Sequence, residues 1–242
     1  MAKWISHRGE SYDAPENTLA AFRLSMERDS DGMECDVHLT ADGRVVVCHD
    51  SHTARMGDRF IKVEDSTFEE VHKVNVSGAF DKKYPDERIP LLEETFQYLG
   101  KDREFYIELK GENPALIPAV ADIVRNSGIH HEQIVFISFS GKLLKAIKKA
   151  MPEYRTLFLD NLFREHGRAT TLEILQEIEE FNADGIDAAC HPELDAELVN
   201  AVHQAGKIFA VWTVDNPFTA KKLLDYGVDA ITSNQAALLK NW

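Results

Sequence analysis

The feature that most constrains the fold of this chain is a regular alternation of strand-like and helix-like segments. Eight short runs rich in β-branched and aromatic residues are typical of strands, and they lie at 4–6, 32–39, 104–109, 134–138, 155–159, 185–189, 208–214 and 229–232. Stretches with apolar residues at helical spacing follow them, roughly at 17–28, 91–100, 114–127, 141–150, 170–181, 195–205, 217–226 and 235–241. Eight such units predict a closed parallel (β/α)8 (TIM) barrel. A doubly wound open sheet is the alternative, but the near-even spacing favours closure.

One region interrupts the alternation. The turn residues Ala41-Asp42-Gly43 lie between two strand-like runs, so we expect the second strand to continue as a hairpin that ends at His49. Residues 50–89 are rich in charge and contain no clear βα unit. We therefore expect a single catalytic domain over 1–242, with 50–89 as a small insertion on the face above the barrel.

The balance of charge limits the partners of the chain. Among 242 residues, 41 are acidic and 27 basic, which gives a formal net charge of −14. A field of that sign repels nucleic acid and anionic lipid, so neither is expected as a partner. It also repels anionic substrates, so a phosphate-binding site in this chain would need its own cations.

The expected location is cytoplasmic, without stable membrane association. The three cysteines have no paired spacing, which argues against a disulfide framework and suits a reducing compartment. The segment before His7 is too short for a signal peptide, and no apolar run reaches the roughly eighteen residues of a membrane span.

Charged residues concentrate at the ends of the first three predicted barrel strands, where barrels of this kind place their chemistry. They are His7, Arg8, Glu34, Asp36, His49, Glu108 and Lys110. Glu34 and Asp36 are two positions apart, so both side chains point to the same face of a strand and Cys35 points to the other. The later strands carry far fewer polar residues.

The carboxylates Glu34, Asp36 and Glu108 predict a metal site. Several carboxylates buried in a barrel are costly unless a cation compensates them. All-oxygen ligands suit a hard divalent ion such as Mg²⁺ or Ca²⁺, with Mn²⁺ also possible, much better than zinc. A lone Glu-x-Asp pair is usually solvated or paired with a basic residue, but the third carboxylate favours the metal site.

Two histidines and two cations complete the predicted site. His7 and His49 could act as the acid and the base on opposite sides of a phosphodiester, and the residues leave open which is which. Arg8 and Lys110 would neutralise the charge of the phosphate beside the ion. Eight other histidines stay without a role: His38, His52, His72, His130, His131, His166, His191 and His203.

Several less specific residues have two interpretations each. Phe139 and Trp212 follow or end strands, where they would line a substrate pocket or pack in the core. Asn17 or Thr18 is expected to cap the first helix, and the alternative is a direct role in the site.

Motifs along nearly the whole chain resemble those of glycerophosphodiester phosphodiesterases of the bacterial cytoplasmic type. In order, they are ISHRG (5–9), APENT (14–18), MECDV (33–37), TADG (40–43), VVVCHD (45–50), IPLLEE (89–94), IELK (107–110), SF (138–139) and WTVD (212–215). The resemblance implies a TIM-barrel hydrolase that releases an alcohol and sn-glycerol 3-phosphate from small glycerophosphodiesters. It assigns the acid and base roles to His7 and His49. Attack by the neighbouring glycerol hydroxyl and attack by water both remain open.

The resemblance also implies that Glu34, Asp36 and Glu108 bind the ion. It implies that Arg8 and Lys110 approach the phosphate. The chain departs from the family at 232–235, where Thr-Ser-Asn-Gln replaces the common Thr-Asp-x-Pro. We expect Ser233 and Asn234 to cap the last helix, with the loss of any pocket contact from that aspartate. The alternatives are a phospholipase-like or sphingomyelinase-D-like enzyme on the same barrel, and a non-catalytic barrel that binds phosphodiesters.

Overall fold

The chain is described from a computed structural model that covers residues 2–165 and 167–242. His166, one of the histidines without a role, lies outside the described residues. The strands are β1 (Lys3–Ser6), β2 (Gly32–Leu39), β3 (Val45–Val47), β4 (Glu104–Leu109), β5 (Ile134–Ser138), β6 (Arg155–Asp160), β7 (Phe163–Arg164), β8 (Gly167–Arg168), β9 (Gly185–Ala189), β10 (Ile208–Trp212) and β11 (Ala230–Ser233). The helices are α1 (Leu19–Glu27), α2 (Phe68–His72), α3 (Leu92–Thr95), α4 (Leu116–Asn126), α5 (Gly141–Ala150), α6 (Thr171–Glu180), α7 (Ala196–Gln204), α8 (Pro217–Tyr226) and α9 (Ala236–Lys240).

Eight parallel strands close into a barrel in the order β1-β11-β10-β9-β6-β5-β4-β2. The ring closes because β1 also pairs with β2, with Ile5 opposite Gly32 and Ser6 opposite Met33. This closure confirms the predicted (β/α)8 barrel and excludes the open sheet. β3 pairs antiparallel with β2, as the turn at 41–43 predicts.

Several predicted boundaries differ from the structure by one or two residues, and three elements differ in ways that concern the regions near the site. β10 ends at Trp212, two residues before the predicted end, although the N–H of Val214 still donates a hydrogen bond to the backbone oxygen of Thr232 in β11. β3 ends at Val47, two residues before the predicted end of the hairpin. The helix predicted at 91–100 is divided into α3 and a 3-10 helix at Phe96–Tyr98.

Apolar side chains fill two layers on either side of the strands. Inside the barrel lies a cluster formed by Ile5, Tyr106, Val135, Ile137, Leu157, Leu159, Ala210 and Ala230. Between strands and helices, β2 contributes Met33, Cys35 and Val37 to a larger cluster. Because side chains alternate along a strand, the remaining residues of β2 point into the barrel, and two of them are Glu34 and Asp36.

The segment between β3 and α3 contains α2 and two 3-10 helices, Val63–Asp65 and Gly78–Phe80. Its core is a separate small cluster of buried apolar residues: Val46, Val63, Val71, Val74, Val76, Ile89 and Leu91. Val46 and Leu91 also form an isolated bridge, which joins this segment to the hairpin. The insertion is thus attached directly beside the strand that carries Glu34 and Asp36. No helix in 2–165 or 167–242 has the length and apolar character to span a bilayer.

We expect Gly185→Ala to lower the free energy of unfolding by about 1–3 kcal/mol. A methyl group at this position would lie 2.1 Å from the carbonyl oxygen of Ile208, so β9 and β10 would have to separate. Urea denaturation followed by circular dichroism measures the change. Gly100→Ala is the control, since its methyl group would meet only the flexible side chain of Arg103. Equal stability of the two variants would contradict the prediction.

Candidate active site

Three acidic side chains meet at the carboxyl-terminal mouth of the barrel. β2 carries Glu34 and Asp36, and β4 places Glu108 directly beside Asp36 in the parallel register. One carboxylate oxygen from each residue lies within 4.8 Å of the others. The three residues are only 2%, 1% and 7% exposed, so water screens their charges little. The structure therefore brings together the three residues that the sequence predicts as ion ligands.

Burial and mutual repulsion act on the protonation of these groups. Burial, and then the charge of Asp36, raise the pKa of Glu34 well above its usual range. The same two causes raise the pKa of Glu108 to about 8. Burial opposes ionisation of Asp36 as well, but Lys110 and Arg8 together hold its pKa well below the usual value. Asp36 is thus the readily ionised member of the cluster, whereas burial and the charge of Asp36 oppose ionisation of Glu34 and Glu108.

The two predicted phosphate-binding cations lie on these carboxylates. Lys110 Nζ lies 2.7 Å from Glu108 Oε1 and 3.0 Å from Asp36 Oδ1. Arg8 contacts Asp36 through Nε at 3.3 Å, and its backbone N–H donates to Glu34 Oε2 at 2.8 Å. Both cations border the cavity described below, where an anion could also reach them.

The donor set fits a hard divalent ion. It consists of carboxylate oxygens only, and Asp36 Oδ1 is buried without a hydrogen bond of good geometry among the described residues, despite its ion pair with Lys110. A bound dication would remove the repulsion that raises the pKa values of Glu34 and Glu108. Glu34, Asp36 and Glu108 are the residues that would hold it.

His7 is held in one tautomer by residues after β11. Asn234 Oδ1 lies 2.7 Å from His7 Nδ1 and also accepts from Ser11 Oγ. Asn234 Nδ2 donates to Asp215 Oδ2, so the amide oxygen faces the ring, and Nδ1 of His7 must be the donor. Burial, and then the charge of Arg8, lower the pKa of His7 to about 4. The ring is therefore neutral at pH 7, with Nε2 free to accept a proton.

His49 has a carboxylate partner instead. Its Nδ1 lies 2.6 Å from Asp50 Oδ1. Arg55 of the insertion donates to Asp50 Oδ2 at 2.7 Å and to both carboxylate oxygens of Glu16 at 2.8 Å. Glu16 in turn accepts from Arg8 Nη1 at 2.8 Å. An unbroken chain of ion pairs thus connects the two ends of the site through the insertion.

Two positioning residues were not assigned to the site from the sequence. Asn17 donates through Nδ2 to Asp36 Oδ2 at 2.8 Å, whereas Thr18 caps α1, so the cap prediction holds for Thr18 only. His38 lies two residues beyond Asp36, and its Nε2 contacts the backbone oxygen of His49 at 3.1 Å. The spacing of His38 from Asp36, equal to that between Glu34 and Asp36, was the signal for its inward orientation.

The expectation that Ser233 and Asn234 cap the last helix is wrong. Ser233 Oγ accepts from the N–H of Gln235 just before α9, as a turn-forming residue does, but no side chain caps that helix. Asn234 instead contacts His7, so this segment provides a hydrogen-bond partner to a candidate catalytic residue.

The predicted residues other than Asp36 line one cavity that is open to solvent on one side. One side of it carries His7, Arg8, Glu34, His49, Glu108 and Lys110, and the other carries Ile137, Phe139, Leu159, Asp187, Trp212 and Thr232. Phe139 and Trp212 stack edge to face with ring centres 5.7 Å apart, so they both line the pocket and pack on each other. Asp187 and Thr232 were missed, because Asp187 is the single polar side chain of β9 and Thr232 was considered only as part of the 232–235 motif.

The comparisons with known proteins agree with this geometry. The model of the glycerophosphoryl diester phosphodiesterase family matches residues 7–238. A glycerophosphodiester phosphodiesterase from Caldanaerobacter subterraneus is 30% identical, over 98% of this chain and 96% of its own length.

Solved structures share the fold across the chain. A glycerophosphodiester phosphodiesterase from Agrobacterium tumefaciens is 25% identical, with a TM-score of 0.82 and coverage of 100% of both chains. A phosphodiesterase from Oleispira antarctica, in complex with the product sn-glycerol 3-phosphate, has a TM-score of 0.87 at 23% identity, over 98% of this chain and 94% of its own. The chain therefore belongs to the glycerophosphoryl diester phosphodiesterase family.

Proposed function

We propose that this chain hydrolyses glycerophosphodiesters to an alcohol and sn-glycerol 3-phosphate, with one divalent metal ion held by Glu34, Asp36 and Glu108. The observation that carries the proposal is the buried carboxylate cluster in a cavity that His7 and His49 also border. The names of the related proteins and the product in the Oleispira antarctica structure support this substrate class.

The charge of the site supports binding of both an ion and a phosphodiester. The three carboxylates and the two cations Arg8 and Lys110 have a formal charge of −1 together when all are ionised. A divalent ion brings this to +1, and a phosphodiester anion brings it to zero. When bound, Mg²⁺, Ca²⁺ or Mn²⁺ would supply positive charge at the phosphate oxygens, where charge develops in the transition state. Arg8 and Lys110 would bind the same oxygens from the cavity wall.

The two histidines have partners that suit different roles. His7 is neutral and presents a free Nε2, which suits a general base toward the attacking oxygen. His49 donates through Nδ1 to the carboxylate of Asp50, which orients its ring, and we assign it the role of general acid toward the leaving alkoxide. The half-buried Trp212 and the exposed Phe139 would pack against the substrate at the open side of the cavity.

We further infer that 1–242 acts as a single catalytic domain and that 50–89 caps its mouth, supported by the contacts of Arg55 with Asp50 and Glu16. The free state of Cys35, Cys48 and Cys190 supports a cytoplasmic location.

The central experiment is a substrate panel with defined ions. Glycerophosphocholine, -ethanolamine, -glycerol and -inositol are each incubated with Mg²⁺, Ca²⁺ or Mn²⁺, and glycerol 3-phosphate is measured by coupling to its dehydrogenase. We expect release only in the presence of an ion. Full activity in chelator would remove the ion from the mechanism. Lysophosphatidylcholine is tested beside the panel, and its turnover without that of any glycerophosphodiester would favour the phospholipase-like alternative.

Glu34→Gln is expected to stabilise the ion-free protein while it reduces activity by about 10²-fold or more. Since the pKa of Glu34 is raised in the folded state, its contribution to stability is present below pH 4.5 and is lost as the pH rises. The gain in stability from the substitution therefore grows as the pH rises above 4.5. Urea denaturation at several pH values measures it. Glu104→Gln, at the other end of β4, is the control that should retain activity.

His49→Ala is expected to lower kcat by about 10²-fold or more, because the leaving group loses its proton donor. His130→Ala, an exposed histidine away from the mouth, should leave kcat unchanged. Wild-type turnover in His49→Ala would exclude the acid role.

The pH profile of the wild type tests the role of His7. We expect kcat/KM to fall as the pH falls toward about 4, where a base at His7 becomes protonated.

A further inference from the structure

Asp187 is a buried acidic side chain that the proposed chemistry does not use. It lies on the inner face of β9, which is four strands away from β2 in the ring and so on the opposite side of the barrel. The residue is 1% exposed, and its Oδ1 has no hydrogen-bond partner among the described residues. Thr232, 2% exposed on β11, has an equally unpartnered Oγ1. Both residues line the same cavity as His7 and Glu34.

Packing of the barrel offers no structural reason for this carboxyl group. Its neighbours in the strand register are Leu159 and Ala210, and both belong to the apolar cluster inside the barrel. Burial without a partner raises the pKa of Asp187 to about 8, so the group is mostly a neutral carboxylic acid at pH 7. A buried polar group that weakens the fold and faces a ligand cavity indicates a ligand contact.

The position of Asp187 decides which arm of a phosphodiester reaches it. The ion cluster fixes the phosphate on the opposite wall, and the larger alcohol can extend past the exposed ring of Phe139. The lining beside the two unpartnered groups consists of the apolar side chains of Ile137 and Leu159, so an arm that carries hydroxyl groups can pair with Asp187 and Thr232 and an alkyl arm cannot. A neutral carboxyl group both donates to and accepts from a hydroxyl, whereas it attracts an ammonium group weakly.

We propose that Asp187, together with Thr232, binds a hydroxyl group of the glycerol arm and thereby selects polyol phosphodiesters over alkyl phosphodiesters. The choice of glycerol depends on the proposed function, but the preference for a hydroxyl-bearing arm does not. Asp187 and Thr232 would act as specificity residues, separate from the ion ligands and the two histidines.

The test compares two ligands that differ only in hydroxyl groups. The affinities of sn-glycerol 3-phosphate and propyl phosphate are measured by calorimetry with Mg²⁺ present, so no turnover is needed. We expect the wild type to prefer sn-glycerol 3-phosphate by about 10- to 100-fold, because propyl phosphate leaves buried polar groups unpaired. Asp187→Leu should reduce this preference by about 10-fold, and Asp187→Asn, which keeps a donor and an acceptor, by less than about threefold.

Thermal stability separates a ligand role from a structural one. Removal of an unpartnered buried carboxyl group should raise the Tm of Asp187→Leu by about 2–4 °C. Asp160→Asn is the matched control, since Asp160 is also buried at a strand end but is paired with Arg164. It should lower the Tm and leave the ligand preference unchanged. Asp187→Ala is the second variant if leucine prevents folding.

An unchanged ligand preference in Asp187→Leu would overturn the proposal, as would an equal loss of affinity for both ligands. A wild type that shows the hydroxyl preference but releases no glycerol 3-phosphate from any diester would overturn the proposed function and leave the Asp187 contact supported. The two failures are therefore distinguishable.

Discussion

The structure depends on one constraint, which is the cost of three carboxylates buried beside one another at the mouth of the barrel. An ionised carboxylate away from water costs several kcal/mol unless opposite charges and hydrogen bonds compensate it. Here Lys110 contacts two of the three, Arg8 contacts Asp36 and Glu34, and Asn17 donates to Asp36. Compensation is incomplete, because the pKa values of Glu34 and Glu108 remain raised. A site left with excess negative potential is prepared for a cation.

The ion pairs that compensate the buried carboxylates extend into the insertion and help to fix its position. Arg8 is shared between Asp36 and Glu16, and Glu16 is shared between Arg8 and Arg55. Arg55 reaches from the insertion to Asp50, the partner of His49. Ion pairs at an exposed surface contribute little, but these are linked in one network whose inner end, Asp36, is buried. The position of His49, the proposed general acid, is therefore coupled to the charge of the carboxylate cluster through residues of the insertion.

The sequence predicted the fold and the charged residues of the site because both follow from local periodicity. Alternating segments define the barrel, and spacing by two on β2 places Glu34 and Asp36 on its inner face. The partners of these residues could not be predicted in the same way. Asn234 meets His7 across 227 positions, and Arg55 meets Glu16 across 39, so only the closed ring brings them together. Asp187 had no periodic signal at all, since its strand is otherwise apolar.

Polar groups have partners on one wall of the cavity and lack them on the other, and this difference distinguishes the roles of the two walls. On the β2 and β4 side, every carboxylate has a cation or a donor within reach, which fixes the geometry before any ligand arrives. On the β9 and β11 side, Asp187 and Thr232 are buried without such partners in the described part of the chain. Preorganised charge suits cleavage of the phosphate ester, which is the same step for every phosphodiester. A buried group without a partner instead discriminates strongly between ligands, because a ligand that does not pair with it binds less tightly. Buried carboxyl groups on both walls lower the stability of the fold, and the apolar layers around the barrel offset this cost.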